Sequence, residues 1–336
     1  MNSKKILTCI TFLFITSFSS FAQTKKESTT VKVDISKDTI INFKKPQKSV
    51  THGSVTVEGK KINYDATAGT LILKNKLDTP TISISYISYF KSDVNASHRP
   101  ITFIHNGGPG SATIWLHMGA WGPQRVSIND TSRTKAPYKT VNNDYSLLDA
   151  SDLVFIDAPG TGFGEVITKE MGGTGEGKDF FGIDQDARAF TDFIIQFLSE
   201  TNRWNSPKYL FGESYGTFRS AVVANLLQNE GVGLSGIILL SQLLTYGNMT
   251  EAAGENPGDD QAYELILPSF AATAWYHHKL PNHPEKLEPF LKEVEHFAIT
   301  DYALALNKGA SIDTTTFNQV AEKVHQYTGL PVAYIQ

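Results

Sequence analysis

The stretch Pro207-Lys208-Tyr209-Leu210-Phe211-Gly212-Glu213-Ser214-Tyr215-Gly216 decides the fold. Its apolar run, Tyr209 to Phe211, breaks at Gly212, and a helical pattern resumes at Thr217, which predicts Ser214 on a turn between strand and helix. A Gly-x-Ser-x-Gly sequence in that context reads as a nucleophile elbow. The turn forces the serine into a strained backbone conformation, and glycines two residues to either side remove side chains that would otherwise collide. The hydroxyl then projects from the sheet edge, beside the first free N–H groups of a helix.

Upstream of the elbow the pattern has two parts. Ser54 to Val57, Leu71 to Leu73 and Ile82 to Tyr89 alternate apolar and polar residues at period two, with His52-Gly53, Glu58-Gly59 and Asp78-Thr79-Pro80 as turns. They predict an antiparallel flank. From residue 100 strands and helices alternate, as in a parallel sheet covered by helices. The strand candidates are Ile101 to His105, Leu153 to Ile156, Tyr209 to Phe211 and Gly236 to Leu240. Asp184 is the expected cap of a helix with Phe190, Ile194, Phe197 and Leu198 on its apolar face. The helix after the elbow, Thr217 to Gln228, is expected to bury Phe218, Ala221, Val222 and Leu226.

Beyond Asp260 only helical patterns follow, one carrying Phe290, Val294 and Phe297, another Phe317, Val320, Val324 and Tyr327, with Gly309 and Gly329 as helix stops. The chain thus divides into a signal peptide (1–22), a flexible lead-in (23–49), a sheet-and-helix core (50–250) and a helical insertion or lid (251–336). The signal peptide is read from Lys4 and Lys5, the apolar run Ile6 to Phe18, and Ser20-Phe21-Ala22 as a cleavage site. It implies a secreted or periplasmic protein with no membrane anchor. Cys9, the only cysteine, lies inside it, so the mature chain carries neither thiol nor disulfide. Without Lys4 and Lys5 there remain 28 basic against 34 acidic residues, a formal charge of −6. That mild acidity argues against nucleic acid as a partner.

A serine hydrolase needs an activated hydroxyl, donors for an oxyanion, and a base with its orienting acid. Ser214 supplies the first. His105-Asn106-Gly107-Gly108-Pro109-Gly110 follows the strand from Ile101, and its glycines let main-chain N–H groups approach a substrate oxygen. Gly108 and Tyr215 are the expected donors. Asn106-Gly107-Gly108-Pro109-Gly110 and Gly212-Glu213-Ser214-Tyr215-Gly216 together resemble the paired signatures of the serine carboxypeptidases, peptidase family S10. Asp152-Leu153-Val154-Phe155-Ile156-Asp157 with Gly160-Thr161-Gly162-Phe163 is similar to a third block, and His117-Met118-Gly119-Ala120 and Arg203-Trp204-Asn205-Ser206-Pro207 bring the chain nearest to bacterial members. The resemblance implies an α/β-hydrolase fold, removal of C-terminal residues from peptides, and no cofactor. It also implies that Ser214 is the nucleophile, that Gly108 and Tyr215 bind the oxyanion, and that Asn106, Gly107 and Glu213 bind the substrate terminus.

Two carboxylates side by side must share a proton, so a Glu213 that holds a substrate carboxylate should bind better as the pH falls. Many relatives add a second Glu at the position of Ala120, where His117 and Arg125 are the nearest groups able to substitute. An α/β-hydrolase places its acid and histidine after the serine. Here His277, His278, His283, His296 and His325 all fall in the helical insertion, as do Asp259, Asp260, Asp301 and Asp313, so the sheet reads as incomplete and the base is expected downstream of Gln336. An esterase or acyltransferase would use the same parts. A binding protein unable to activate its serine is the other alternative.

The remaining motifs read as structure. Gly172 to Lys178 has P-loop spacing, but Asp179 stands where the magnesium-binding hydroxyl must be. Gly160-x-Gly162-x-Gly164 has the wrong spacing for a dinucleotide, and His277, His278 and His283 lack a zinc ligand set. Asp157 precedes the serine, the wrong order for its acid. Asn95, Asn129 and Asn248 open glycosylation sequons.

Overall fold

The computed structural model describes residues 45–128, 136–249 and 258–336. The signal segment with Lys4, Lys5, Cys9 and Ala22, the lead-in up to residue 44, and the Asn129 sequon lie outside the described residues, as does the side chain of Asn248.

Three long antiparallel strands open the fold: β1 (Lys48–Val57), β2 (Lys60–Lys74) and β3 (Pro80–Lys91). Glu58-Gly59 is the β1–β2 turn, with both residues at positive φ. His52-Gly53, expected as a turn, lies inside β1. Gly53 sits opposite Tyr64, and a Cβ there would fall 2.6 Å from the tyrosine hydroxyl, so this glycine makes room for a ring and does not bend the chain.

Then come β4 (Ile101–His105), a helical turn α1 (Ile114–Leu116), a small ribbon of β5 (Gln124–Val126) and β6 (Thr140–Asn142), and β7 (Asp152–Ile156). The short β8 (Glu165–Val166) pairs with β3, and α2 (Ile183–Glu200), β9 (Lys208–Glu213), α3 (Tyr215–Asn229) and β10 (Gly236–Leu240) follow. The main sheet runs β1-β2-β3-β7-β4-β9-β10, antiparallel as far as β7 and parallel beyond it. That order, with helices crossing between the parallel strands, is the α/β-hydrolase fold. The chain passes from β4 to β7 on one side and returns to β9 on the other. The carboxyl ends of β4 and β9 therefore lie side by side at a switch point, where open α/β sheets place their ligand sites.

β4 and β7 are buried along their whole length because both faces of the sheet are covered. On one face Phe103, Val154 and Leu210 meet Phe190, Phe193 and Phe197 of α2. On the other, Ile104, Phe155 and Phe211 meet Val55, Val57, Ile62 and Tyr64 of the β1–β2 hairpin. One face is thus covered by helices, as expected, and the other by the flank. β10 closes the order with Ile237, Ile238, Leu239 and Leu240 each about 40% exposed.

Two helix details depart from expectation. The N-cap of α2 is Gly182, with Asp184 inside the first turn, where a carboxylate still complements the helix dipole. In α3 the buried face is Gly216, Arg219, Ser220, Val223 and Leu227, while Ala221 is exposed and Phe218, Val222 and Leu226 are half-buried. The sheet side of α3 carries small residues because the helix lies close on β9: a Cβ on Gly212 would touch Gly216 O and Ser220 Oγ. The Gly172 to Gly177 loop lies along β3 and β8, with Thr174 N–H on Pro80 O and Gly175 N–H on Ile167 O.

After residue 258 the chain is helical: α4 (Gln261–Tyr276), α5 (Leu287–Phe297), α6 (Ala303–Lys308), α7 (Thr314–Thr328) and α8 (Val332–Ile335). Leu267, Phe290, Val294, Phe297, Val324 and Tyr327 form a core of their own. Gly309 and Gly329 end α6 and α7 at positive φ, as expected. No helix among the described residues is long and apolar enough to cross a membrane.

Candidate active site

Ser214 stands between β9 and α3 with φ 57° and ψ −126°. A residue with a Cβ enters that region at a cost of about 1–3 kcal/mol and stays only where its surroundings hold it. Its N–H donates to Leu240 O at 3.0 Å, tying the turn to the end of β10. Its carbonyl accepts from Thr217 N–H at 2.9 Å and Thr217 Oγ1 at 2.7 Å, and that hydroxyl accepts Leu243 N–H at 3.0 Å. The flanking glycines are demanded by space. A Cβ on Gly212 would lie 2.1 Å from Gly216 O, and one on Gly216 2.9 Å from His105 Nδ1.

The loop after β4 presses on this turn. A Cβ on Gly107 would lie 2.5 Å from Tyr215 N and 2.6 Å from Glu213 O, so the two main chains touch with no side chain between them. Gly108 takes φ 110°. Tyr215 is the first residue of α3, where a helix leaves its N–H without an internal acceptor. The sequence therefore brings Gly107 and the turn that carries Ser214 and the Tyr215 amide to one place, because His105 and Gly212 are paired neighbours on β4 and β9.

Asn106 and Glu213 also meet there. Asn106 Nδ2 donates to Glu213 Oε2 at 3.0 Å, and Asn106 Oδ1 accepts Leu116 N–H at 3.1 Å, which fixes the orientation of the amide. Asn106 is buried and Glu213 half-buried, leaving the carboxylate partly open to solvent.

Beneath the turn lies a buried ionic group that sequence reading missed. Arg219 is fully buried. Its Nε donates to Asp186 Oδ2 at 2.6 Å and its Nη1 to Asn106 O at 2.6 Å, with the guanidinium 4.3 Å above the Phe190 ring and 5.1 Å from that of Tyr215. Tyr215 OH completes the group by donating to Asp186 Oδ2 at 3.3 Å. Burial, and then the Asp186 carboxylate, push the Tyr215 hydroxyl up to about 12. His105 lies against Arg219 and Ser220, and burial followed by the Arg219 charge holds its pKa far below the ordinary imidazole value, so it is neutral.

Other candidates have structural partners. Asp157 accepts Ser85 Oγ at 2.6 Å and Thr113 N–H at 2.8 Å, fastening the segment after Gly110 to the middle of β3 and the end of β7. His117 Nε2 meets Tyr89 OH at 2.7 Å with the Phe155 ring tilted against it at 4.7 Å, and burial lowers its pKa to about 4. It is a packed neutral ring, while Arg125 Nε is buried without a hydrogen-bond partner among the described residues. Asn95 uses its side chain to cap the turn at residues 96–98. His278 and His283 lie 4.5 Å apart, with His283 stacked on Trp275. Among the described residues no three His, Cys, Asp or Glu side chains converge as metal ligands.

The sequence profile of the serine carboxypeptidase family matches residues 81–248, half of the chain. No curated protein sequence matches it. Among solved structures, the prohormone-processing carboxypeptidase Kex1 from Saccharomyces cerevisiae is 18% identical with a TM-score of 0.45, covering 85% of this chain and 53% of its own. The peroxisomal α/β-hydrolase Lpx1 from the same yeast is 13% identical (TM-score 0.33; 66% and 52% covered). The juvenile hormone epoxide hydrolase from the silkworm Bombyx mori is 12% identical (TM-score 0.30; 81% and 57% covered). The chain thus spans about half the length of these structures. By the profile match, which takes in both the loop after β4 and the turn that carries Ser214, the chain belongs to the serine carboxypeptidase family.

Proposed function

We propose that the protein is a secreted or periplasmic serine carboxypeptidase, with Ser214 as the nucleophile. The Oγ attacks the carbonyl of the last peptide bond. The N–H groups of Gly108 and Tyr215 stabilise the tetrahedral oxyanion. Its collapse breaks the C–N bond and releases the C-terminal residue as its amine, and water then hydrolyses the acyl-enzyme to free the shortened peptide and Ser214. Asn106 and Glu213, with the Gly107 main chain, hold the terminal carboxylate of the substrate. The observation that carries this reading is the serine at φ 57° with the Gly107 main chain pressed on its neighbours Glu213 and Tyr215.

The general base and its acid we assign to residues outside these 336. His105 faces Ser220 and Arg219, His117 faces Tyr89, and His52 pairs with Asp65. His98 precedes β4, at the far end of the strand from the loop that meets Ser214, and the other five histidines belong to the segment after residue 260. No hydrogen bond among the described residues involves Ser214 Oγ. Without its base a serine hydrolase loses several orders of magnitude in rate. The 336-residue chain should therefore not react with a fluorophosphonate probe, whereas the product of the reading frame continued past codon 336 should label at Ser214. Strong labelling of the short chain would show that a base lies within it. Absence of labelling in the longer product would end the hydrolase reading.

Ala120 favours a second reading, an esterase or acyltransferase, because one expected partner for a substrate carboxylate is missing. Comparing a peptide with its C-terminally amidated form decides between them. A carboxypeptidase prefers the free acid, and equal cleavage supports the second reading.

A further inference from the structure

Beside the candidate site opens a cavity of about 360 Å³, walled by Pro109, Pro159, Phe180, Phe181, Ile183 and Tyr246, with Tyr215 and Asp186 also on its surface. Asn106, Gly107 and Glu213 are not part of its lining. A void of about 150 Å³ already accepts benzene, so this one has room for an aromatic side chain. Among the described residues, the only ionisable carboxylate on its wall is Asp186.

A bare carboxylate there would select a lysine or arginine side chain. Asp186 is not bare. Arg219 Nε lies 2.6 Å from its Oδ2 and Arg219 Nη2 3.3 Å from its Oδ1, while Tyr215 OH donates to Oδ2 as well. The pair carries no net charge, and a basic side chain entering the cavity would leave water for a place with no free counter-charge. An apolar side chain would shed hydration against two phenylalanines and two prolines.

We propose that this cavity is a specificity pocket for an uncharged apolar side chain, aromatic above all, and that Arg219 sets this preference by cancelling the charge of Asp186. The proposal rests on the hydrolase reading only for which substrate residue enters. Since Asn106 and Glu213 hold the terminus on that reading, the pocket takes the side chain on the acyl side of the scissile bond, that of the penultimate residue.

The test is a binding measurement on the 336-residue chain, which needs no reactive serine. N-acetyl-phenylalaninamide and N-acetyl-lysinamide are titrated in turn, followed by saturation-transfer NMR. The phenylalanine probe should bind at least about tenfold more tightly. Ile183 and Phe181 are 43% and 67% exposed, so substitutions there leave the core intact. Ile183→Lys should weaken the phenylalanine probe by about tenfold. Ile183→Asp adds a carboxylate with no partner, and should raise affinity for the lysine probe severalfold. Equal binding of both probes to the unmodified chain, tighter binding of the lysine probe, or indifference to both Ile183 substitutions would overturn the proposal. If the pocket binds as described while the longer product resists fluorophosphonate, only the hydrolase reading fails. If the longer product labels but the probes are not distinguished, only the pocket assignment fails.

Discussion

The guanidinium of Arg219 donates to the main-chain carbonyl of Asn106 at 2.6 Å, across 113 positions of sequence. One buried cation thereby joins α3, the loop after β4 and, through Asp186, α2. Removing one partner of such a pair leaves the other charge buried and alone, which destabilises by about 3–5 kcal/mol, whereas removing both can be nearly neutral. Arg219→Met is therefore expected to lower stability by that amount in urea unfolding, and Asp186→Leu with Arg219→Met by clearly less than the two single losses added together. Additive losses would mean that the two groups are not coupled.

Ser214 offers a test of strain that needs no catalysis. At φ 57° glycine pays no Cβ penalty, while serine and alanine do. Ser214→Gly should stabilise the chain by about 1 kcal/mol relative to Ser214→Ala. Thermal unfolding measures the difference. If the alanine variant proves equally stable, the turn is not strained.

Much of this geometry was legible before any coordinates. The bounds of β4 and β10 follow directly from short continuous apolar runs, and the elbow follows from glycines at fixed offsets around Ser214. Both are local signals. The face of α3 was misread because its sheet side is built from Gly216, Ser220 and Arg219, residues that a hydrophobic period passes over. Asp186 and Arg219 were invisible for a related reason: a charge on a helix is normally solvated, and only the pairing across 33 positions tells otherwise. His52-Gly53 looked like a turn because the ring of Tyr64 that needs the space lies on another strand.

The buried ring of His117 predicts an acid sensitivity. Its pKa is about 4 in the fold against 6.5 in a free imidazole, so between those values the unfolded chain binds a proton that the folded chain does not. Stability is then complete above pH 6.5 and declines as the pH falls toward about 4. The loss is about 2–3 kcal/mol, allowing for the ring's partial exposure. Urea unfolding at pH 7.5 and pH 4.5 should show a smaller decline for His117→Gln than for the unmodified chain. Identical declines would assign the acid sensitivity to other groups.

Glu213 makes a prediction about binding whose sign follows from its charge. If it and Asn106 hold a substrate carboxylate, the complex contains two acidic groups that must share one proton, so binding takes up a proton and tightens as the pH falls. In the longer product, KM for a peptide with a free terminus should fall between pH 7.5 and pH 5.5, by up to about tenfold per unit where one whole proton is taken up. Glu213→Gln keeps an acceptor for Asn106 and supplies its own donor to the carboxylate, so KM should become nearly independent of pH, and lower than that of the unmodified enzyme at pH 7.5. The amidated peptide is the control, since it carries no terminal charge and its KM should not follow pH in either enzyme. A free-acid KM that stays constant from pH 7.5 to pH 5.5 would remove Glu213 from the recognition of the terminus, while leaving the attack by Ser214 untouched.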